Sequence, residues 1–238
     1  MKRILLLLSI CLIPMLSFAQ TEENEKERVY IDYFSRPTTI KPILAEALRN
    51  KVIEGIQEME RVVLIDVDSD EALKNEAKRR QEASAMGDVV SRSEEMTTLG
   101  AQYLIQGNIT SMEALQKTDS KGKTYYKGSV SYTLKIVNPT NGTLIGTKAF
   151  SHEGLTGSTG DTPDEAIIKT LNYAKISMDD FVNEYFKIEG TIVQVESTKK
   201  DKAQTVYIDL GTKRGIKKSQ KFRVYIEMDL SLIHISEP

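Results

Sequence analysis

The sequence predicts an α/β (α+β) sandwich in which helices pack on a mixed β-sheet, followed by a small, truncated C-terminal β module. Three observations lead to this prediction. A strand, an amphipathic helix and a second strand follow one another between residues 29 and 65. Apolar and polar residues alternate from residue 128 to residue 137, and a well-capped amphipathic helix begins at Pro163. Together they indicate one sheet with helices laid against it.

The first layer is predicted from residues 29–65. Residues 29–34 are rich in β-branched and aromatic side chains and predict the first strand. Apolar residues then recur at three- and four-residue steps from Ile40 to Met59, which predicts a helix with one apolar face. Residues 62–65 are all aliphatic and predict a fully buried second strand. This order of elements favours a right-handed parallel crossover.

The middle of the chain predicts exposed helices and then a hairpin. Residues 66–100 are polar and rich in helix formers, so one or two exposed helices are expected there, and residues 101–110 predict the next strand. From Gly128 onward the apolar side chains point to one face of a strand. Asn141-Gly142 predicts a tight turn because these residues tolerate a positive φ angle. The return strand is expected over residues 143–151.

The most clearly signalled helix follows a glycine-rich stretch. Thr162 supplies a capping hydroxyl, Pro163 suits the first helical position, and Glu165 completes a capping box. Apolar residues then continue at helical spacing from Ile167 to Tyr185, which predicts one long helix covering a face of the sheet.

Two short regions close the chain. Residues 188–229 predict a small β module, which at this length is too short to hold a good core alone. Residues 230–238 follow a predicted strand without turn chemistry and resemble a translated sequencing adapter, so we expect a non-native tail. No function is assigned to His234.

The N-terminus has the three parts of a secretory signal peptide. Lys2 and Arg3 precede an apolar run over residues 4–18, and small residues surround a cleavage site expected between Ala19 and Gln20. An uncleaved anchor is the alternative, but the run is shorter than the roughly 20 residues that span a bilayer. Residues 1–19 are thus predicted to be a signal peptide. Residues 20–27 are predicted to be a solvated leader.

The single cysteine leaves a second alternative open. Cys11 lies inside the apolar run, where lipidation would anchor the protein, although Ile10 stands where a lipoprotein signal has a small residue. Cleavage after Ala19 would leave a chain without thiols, which excludes thiol catalysis and disulfides. We expect the periplasm, or the periplasmic face of the outer membrane, as the location.

No convergent set of reactive residues is visible in the sequence. Residues 66–70 imitate the start of a calcium loop, but Glu71 and Ala77 stand where that loop needs glycine and glutamate. His152 has no second histidine or cysteine near it, and we predict that it faces solvent at a strand end. We therefore predict no catalytic residue, no cofactor, no metal ligand and no enzymatic activity. A glycan hydrolase using paired carboxylates is the open alternative.

A glycine-rich loop precedes the capped helix. A phosphate-binding loop would place Lys-Ser/Thr at the helix start, whereas this chain has Asp161 and Asp164 there. Carboxylates at these positions repel phosphate. We predict instead either a mobile connection or a surface loop that meets a partner protein. The candidate contact residues of such a loop are Gly154, Gly157 and Gly160.

Several segments resemble the CsgG family of curli secretion channels. Residues 61–66, 99–110 and 134–145 are similar to that family's strand motifs, and residues 206–216 resemble the C-terminal β domain of FlgT-type envelope proteins. The resemblance implies a CsgG-like domain over residues 28–187 and a FlgT-like module over residues 188–229. It also implies a sandwich similar to the N-terminal part of TolB and to lipoprotein activators of penicillin-binding proteins, none of which is an enzyme.

The expected function is that of a non-catalytic accessory protein in cell-envelope assembly or secretion. Two alternatives follow from the resemblance: an outer-membrane secretion channel subunit of the curli type, and a regulator of peptidoglycan synthesis. The expected partners are envelope proteins, with self-association into a homo-oligomer and contact with the outer membrane as further expectations. Nucleic acid is not expected, because the net charge is only −2.

Overall fold

A computed structural model describes residues 26–65, 67–69, 71, 74–75, 77–79, 81, 100–200, 202–211, 216 and 218–224. The predicted signal peptide and the predicted tail lie outside these residues, as does most of the predicted leader. The described positions between 71 and 81 are helical, as expected for this segment.

The described residues form one mixed sheet with helices packed on it and a separate two-stranded sheet, which confirms the predicted fold class. The large sheet has the order β2-β1-β3-β4-β5, and β6 pairs with β4. Strand β1 runs parallel to β2 and β3, whereas β3, β4 and β5 are antiparallel neighbours. The elements are β1 Glu27–Ile31, α1 Pro42–Glu58, β2 Val62–Ile65, a 3-10 turn Val67–Ser69, β3 Tyr103–Thr118, β4 Thr124–Val137, β5 Leu144–Glu153, β6 Thr159–Gly160, α2 Pro163–Ile176, α3 Met178–Tyr185, β7 Ile192–Lys199 and β8 Lys202–Ile208.

Helix α1 connects two parallel strands, as the sequence predicts, but β2 is not fully buried. It lies at the edge of the sheet, and the side chain of Val63 is 46% exposed. The prediction of a fully buried strand was therefore wrong. An aliphatic run is compatible with either position, because the place of a strand in a sheet depends on pairing partners far away in sequence.

The long β3–β4 hairpin dominates the sheet. Strand β3 extends to Thr118, well beyond the predicted end at residue 110, and a register irregularity between Ile109 and Ser111 marks a bulge. The alternation predicted for β4 is confirmed, because its apolar side chains are at most 1% exposed: Val130, Tyr132, Leu134 and Ile136.

One face of the sheet carries the main core. Helices α1, α2 and α3 contribute to it, with fully buried side chains such as Leu48, Val52, Met178 and Phe181. Burying a large apolar side chain stabilises the fold by about 1.5–3 kcal/mol, so this face supplies much of the stability. On the opposite face a smaller cluster joins residues of β1 and β3 to the segment after β2: Tyr30, Val67, Ala77, Ala101 and Leu104.

The capping box at the start of α2 is present. Thr162 Oγ1 accepts a hydrogen bond from the backbone N–H of Glu165 at 3.2 Å, and Glu165 Oε2 accepts one from the N–H of Asp161 at 2.8 Å. The predicted single helix is instead two helices, α2 and α3, which meet at Ser177. The Ser177 hydroxyl donates to Tyr173 O at 2.9 Å, beside the backbone bond from Ser177 N–H to the same oxygen at 3.0 Å, and such an added side-chain bond often bends a helix.

The β7–β8 hairpin forms the small C-terminal sheet. Every residue of β7 is exposed. Residues 221–224, which lie within the predicted β module, are not in a strand. No described helix is long and apolar enough to cross a membrane.

Candidate functional site

A cavity of about 300 Å³ lies where the chain leaves β1. This position is the carboxyl end of a parallel strand beside the start of a helix, where α/β proteins commonly bind ligands. Its walls come from the segment after β1, the first turns of α1 and the helical residues that follow β2. The lining residues are Tyr33, Phe34, Arg36, Pro42, Ala45, Glu46, Lys78 and Gln81.

A buried arginine next to the cavity joins α1 to the end of β1. The Arg49 side chain is only 4% exposed, and its guanidinium donates to Ile31 O at 3.1 Å and to Asp32 O at 3.2 Å. It also lies 5.1 Å from the centre of the Tyr33 ring and 3.9 Å from a carboxylate oxygen of Asp68. These contacts satisfy a buried charge and hold the cavity wall in place.

Sequence reasoning missed this residue, although a signal was present. Arg49 falls at helical spacing with Ala45 and Val52 on the buried face of α1. A cationic side chain on the apolar face of a helix indicates that a buried hydrogen-bond acceptor lies against that face, because a buried charge must be paired or hydrogen-bonded.

Three of the polar groups that line the cavity are engaged in structural hydrogen bonds. The Tyr33 hydroxyl donates to Asp68, and burial together with this carboxylate raises the pKa of Tyr33. Arg36 donates to Ile40 O, and Gln81 donates to Phe34 O at 2.5 Å. Donors that are occupied by backbone carbonyls position the walls and are poorly placed to react with a substrate.

The segment that imitates the start of a calcium loop, residues 66–70, can be followed only in part. Asp66 and Asp70 lie outside the described residues, and Asp68 faces Tyr33 and Arg49. Among the residues that the structure describes, no group of three or more His, Cys, Asp or Glu side chains is arranged to hold a metal ion.

His152 is buried, so the prediction that it faces solvent was wrong. Its side chain lies on the helix-covered face of β5, among the rings of Tyr132, Phe150 and Tyr173 at centroid distances of 5.8, 6.4 and 6.5 Å. Burial lowers the pKa of His152, and within the described structure its Nε2 atom has no hydrogen-bond partner. His152 stands two positions after Phe150 in the strand, which places both side chains on one face of the sheet. This spacing is the sequence signal for its burial that the prediction overlooked.

The predicted partner-contact loop divides into two parts. Gly154 and Gly157 are exposed and have positive φ angles of 68° and 86°, a conformation that favours glycine. Gly160 is buried in β6, where an added Cβ would lie 2.7 Å from Ala166 N. The Tyr173 hydroxyl donates to Thr156 O and ties the loop to α2. The contact of these glycines with a partner stays a prediction.

No family model and no curated protein matches this chain, so the CsgG and FlgT resemblances gain no support from these comparisons. Solved structures that resemble it include the PelC dodecamer from Paraburkholderia phytofirmans, at 12% identity and a TM-score of 0.40, covering 69% of this chain and 90% of PelC. A hypothetical protein from Chlamydia trachomatis is 13% identical with a TM-score of 0.42, covering 68% and 98% of the two chains.

A lipoprotein from Neisseria meningitidis is 10% identical with a TM-score of 0.41, covering 65% of this chain and 99% of the lipoprotein. All these TM-scores lie below 0.5. The overlaps therefore carry no conclusion about this chain's partners, assembly or location.

Proposed function

We propose that this protein is a non-catalytic component of the cell envelope that acts through protein contacts in assembly or secretion. It works in the periplasm or at the periplasmic face of the outer membrane. Export rests on the signal-peptide pattern of residues 1–19. The observation that carries the binding role is the cavity at the end of β1, whose shape is kept by hydrogen bonds to backbone carbonyls.

The composition of this cavity suits recognition better than turnover. Catalysis by acid and base requires a group that is free to exchange a proton near the operating pH. The raised pKa of Tyr33 keeps its hydroxyl protonated, and the hydroxyl is already donating to Asp68. Apolar walls from Phe34, Pro42 and Ala45 can accept an apolar side chain of a partner, the kind of anchor that dominates many protein interfaces.

Crosslinking in native envelopes tests this proposal. A photoreactive residue is placed at Lys78, in the helical segment after β2, or at Glu46 on α1, both of which line the cavity. The control position is Ile43, which is 72% exposed on α1 and does not line the cavity. We expect the same envelope protein to be captured from both cavity positions and not from the control.

Two results would contradict the proposal. One is a monomer that crosslinks to no envelope protein from either wall of the cavity. The other is turnover of cell-wall preparations that a single Asp or Glu substitution abolishes while the circular dichroism spectrum is unchanged, because this result would identify a hydrolase. Light scattering of the purified protein measures self-association separately.

A further inference from the structure

The exposed end of the β3–β4 hairpin is a second surface, unrelated to the cavity. We call residues 115–127 the hairpin tip. Its turn is well defined, because the carboxylate of Asp119 accepts hydrogen bonds from the N–H groups of Lys121 and Lys123, both at 2.8 Å. Gly122 supplies the positive φ angle of 81° that the turn requires. The backbone of the hairpin tip therefore has a defined conformation.

The hairpin tip carries an excess of positive charge. It contains four lysines: Lys117, Lys121, Lys123 and Lys127. The carboxylate of Asp119 is used by the turn, and that of Asp161 lies 3.1 Å from Lys123 Nζ. Within the described part of the chain, the other three lysines form no ion pair. Lys117 and Lys121 are exposed and Lys127 is half-buried, so their charges can meet an external anion.

Apolar side chains stand among these lysines on one face. Leu115 pairs with Lys127 across the strands, and Lys117 pairs with Tyr125, so all four side chains share a face of the sheet. Leu115 is 61% exposed, and Tyr125 is half-buried. Leu115 is therefore an exposed apolar side chain between cations. A lipid surface accepts both, because lysine stems reach the headgroups while apolar groups enter the interface.

The charge distribution along the hairpin also favours contact by the tip. Glu113 and Glu153 lie on the same face, both in the row of Ser129, which is the next row away from the turn. Negative charge therefore begins where the tip ends. An anionic surface would attract the lysines of the tip and repel the carboxylates behind them.

We propose that the hairpin tip docks on an anionic lipid surface, with Lys117, Lys121 and Lys127 at the headgroups and Leu115 in the interface. This contact goes beyond the proposed protein contacts and does not involve the cavity. A vesicle assay with purified protein can fail while the crosslinking experiment succeeds, and the reverse also holds, so the two proposals are separable.

Co-sedimentation with vesicles tests the docking. The full exported protein is mixed with vesicles of phosphatidylcholine alone or with about one quarter phosphatidylglycerol, the anionic lipid that the lysines should recognise. We expect binding only to the anionic vesicles and its loss in high salt. The double variant K117Q/K127Q should bind about 30-fold more weakly, since each lysine near such a surface contributes about 1 kcal/mol. Leu115→Ser should weaken binding about tenfold.

The matched control is K218Q/K221Q, which removes the same charge from two exposed lysines outside the hairpin. All variants share one N-terminus, so any contribution from it cancels. Unchanged binding of K117Q/K127Q, an equal loss in the control, or no preference of the wild-type protein for anionic vesicles would overturn the proposal. Equally tight binding to soluble polyglutamate, with no effect of Leu115→Ser, would also overturn it and identify an acidic protein partner.

Discussion

Gly128 is the point at which α2 lies directly on β4, and replacing it with alanine probes this packing. An added Cβ would lie 2.4 Å from Ala166 O and 2.4 Å from Thr170 Oγ1. Neither atom can move easily, because Ala166 O belongs to the helix backbone and Thr170 Oγ1 donates to it at 2.8 Å. Helix α2 would have to shift by about 1 Å to restore ordinary van der Waals contact.

The expected cost follows from two opposing effects. Overfilling a packed interface costs about 1–3 kcal/mol. Alanine regains about 0.5–1 kcal/mol in a strand, because it loses less conformational freedom on folding than glycine. We therefore expect Gly128→Ala to lower the free energy of unfolding by about 1–2 kcal/mol.

Urea unfolding followed by circular dichroism measures this change. The midpoint should fall while the slope stays constant, which indicates lost stability and not a changed unfolded state. The control is Gly211→Ala, because an added Cβ there meets nothing within 4 Å and the backbone is not in the left-handed region. A Gly128→Ala protein as stable as the wild type and the control would refute the packing argument.

Three further changes have definite expected results in the same unfolding assay. Burial lowers the pKa of His152 below its value in the unfolded chain, so the stability contributed by neutral His152 is complete above about pH 6.5 and is lost as the pH falls below this value. His152→Phe should reduce the loss of stability between pH 7 and 5. An unchanged dependence of stability on pH would contradict this prediction. Thr162→Ala should cost about 1 kcal/mol, whereas Thr162→Ser should cost little, because serine keeps the capping hydroxyl. Arg49→Met should lower the free energy of unfolding by about 2–3 kcal/mol, because Ile31 O and Asp32 O lose the guanidinium that donates to them. Arg49→Lys should keep only part of this stability, because lysine lacks the planar guanidinium that donates to two carbonyls at once. Equal stability of the wild type and both variants would exclude a structural role for the guanidinium.

Features that depend on neighbouring residues could be predicted from the sequence. The capping box needs only Thr162 and Glu165, three residues apart, and it forms as predicted. The face of β4 follows from the two-residue repeat of a strand, which is set by the backbone itself. The local order of β1, α1 and β2 likewise predicted a parallel pair. Local geometry and a short repeat were sufficient for these predictions.

The candidate cavity and its supporting contacts could not be predicted in the same way. Arg49 meets the carbonyl of Ile31 only because α1 packs across the end of β1. His152 is buried because α2 covers its face of β5, although no residue next to it in sequence indicates a helix there. The hairpin tip depends on the register that sets Leu115 opposite Lys127.

The sequence by itself determined the class of fold, the start of α2 and the alternating faces of β4. Only the tertiary structure decided that β2 is an edge strand, that His152 is enclosed and that Arg49 is held by backbone carbonyls. The physical reason is the distance along the chain between the residues that interact. Periodicity and capping involve residues within a few positions of each other, whereas burial and hydrogen-bond partners are set by contacts between segments far apart in the chain.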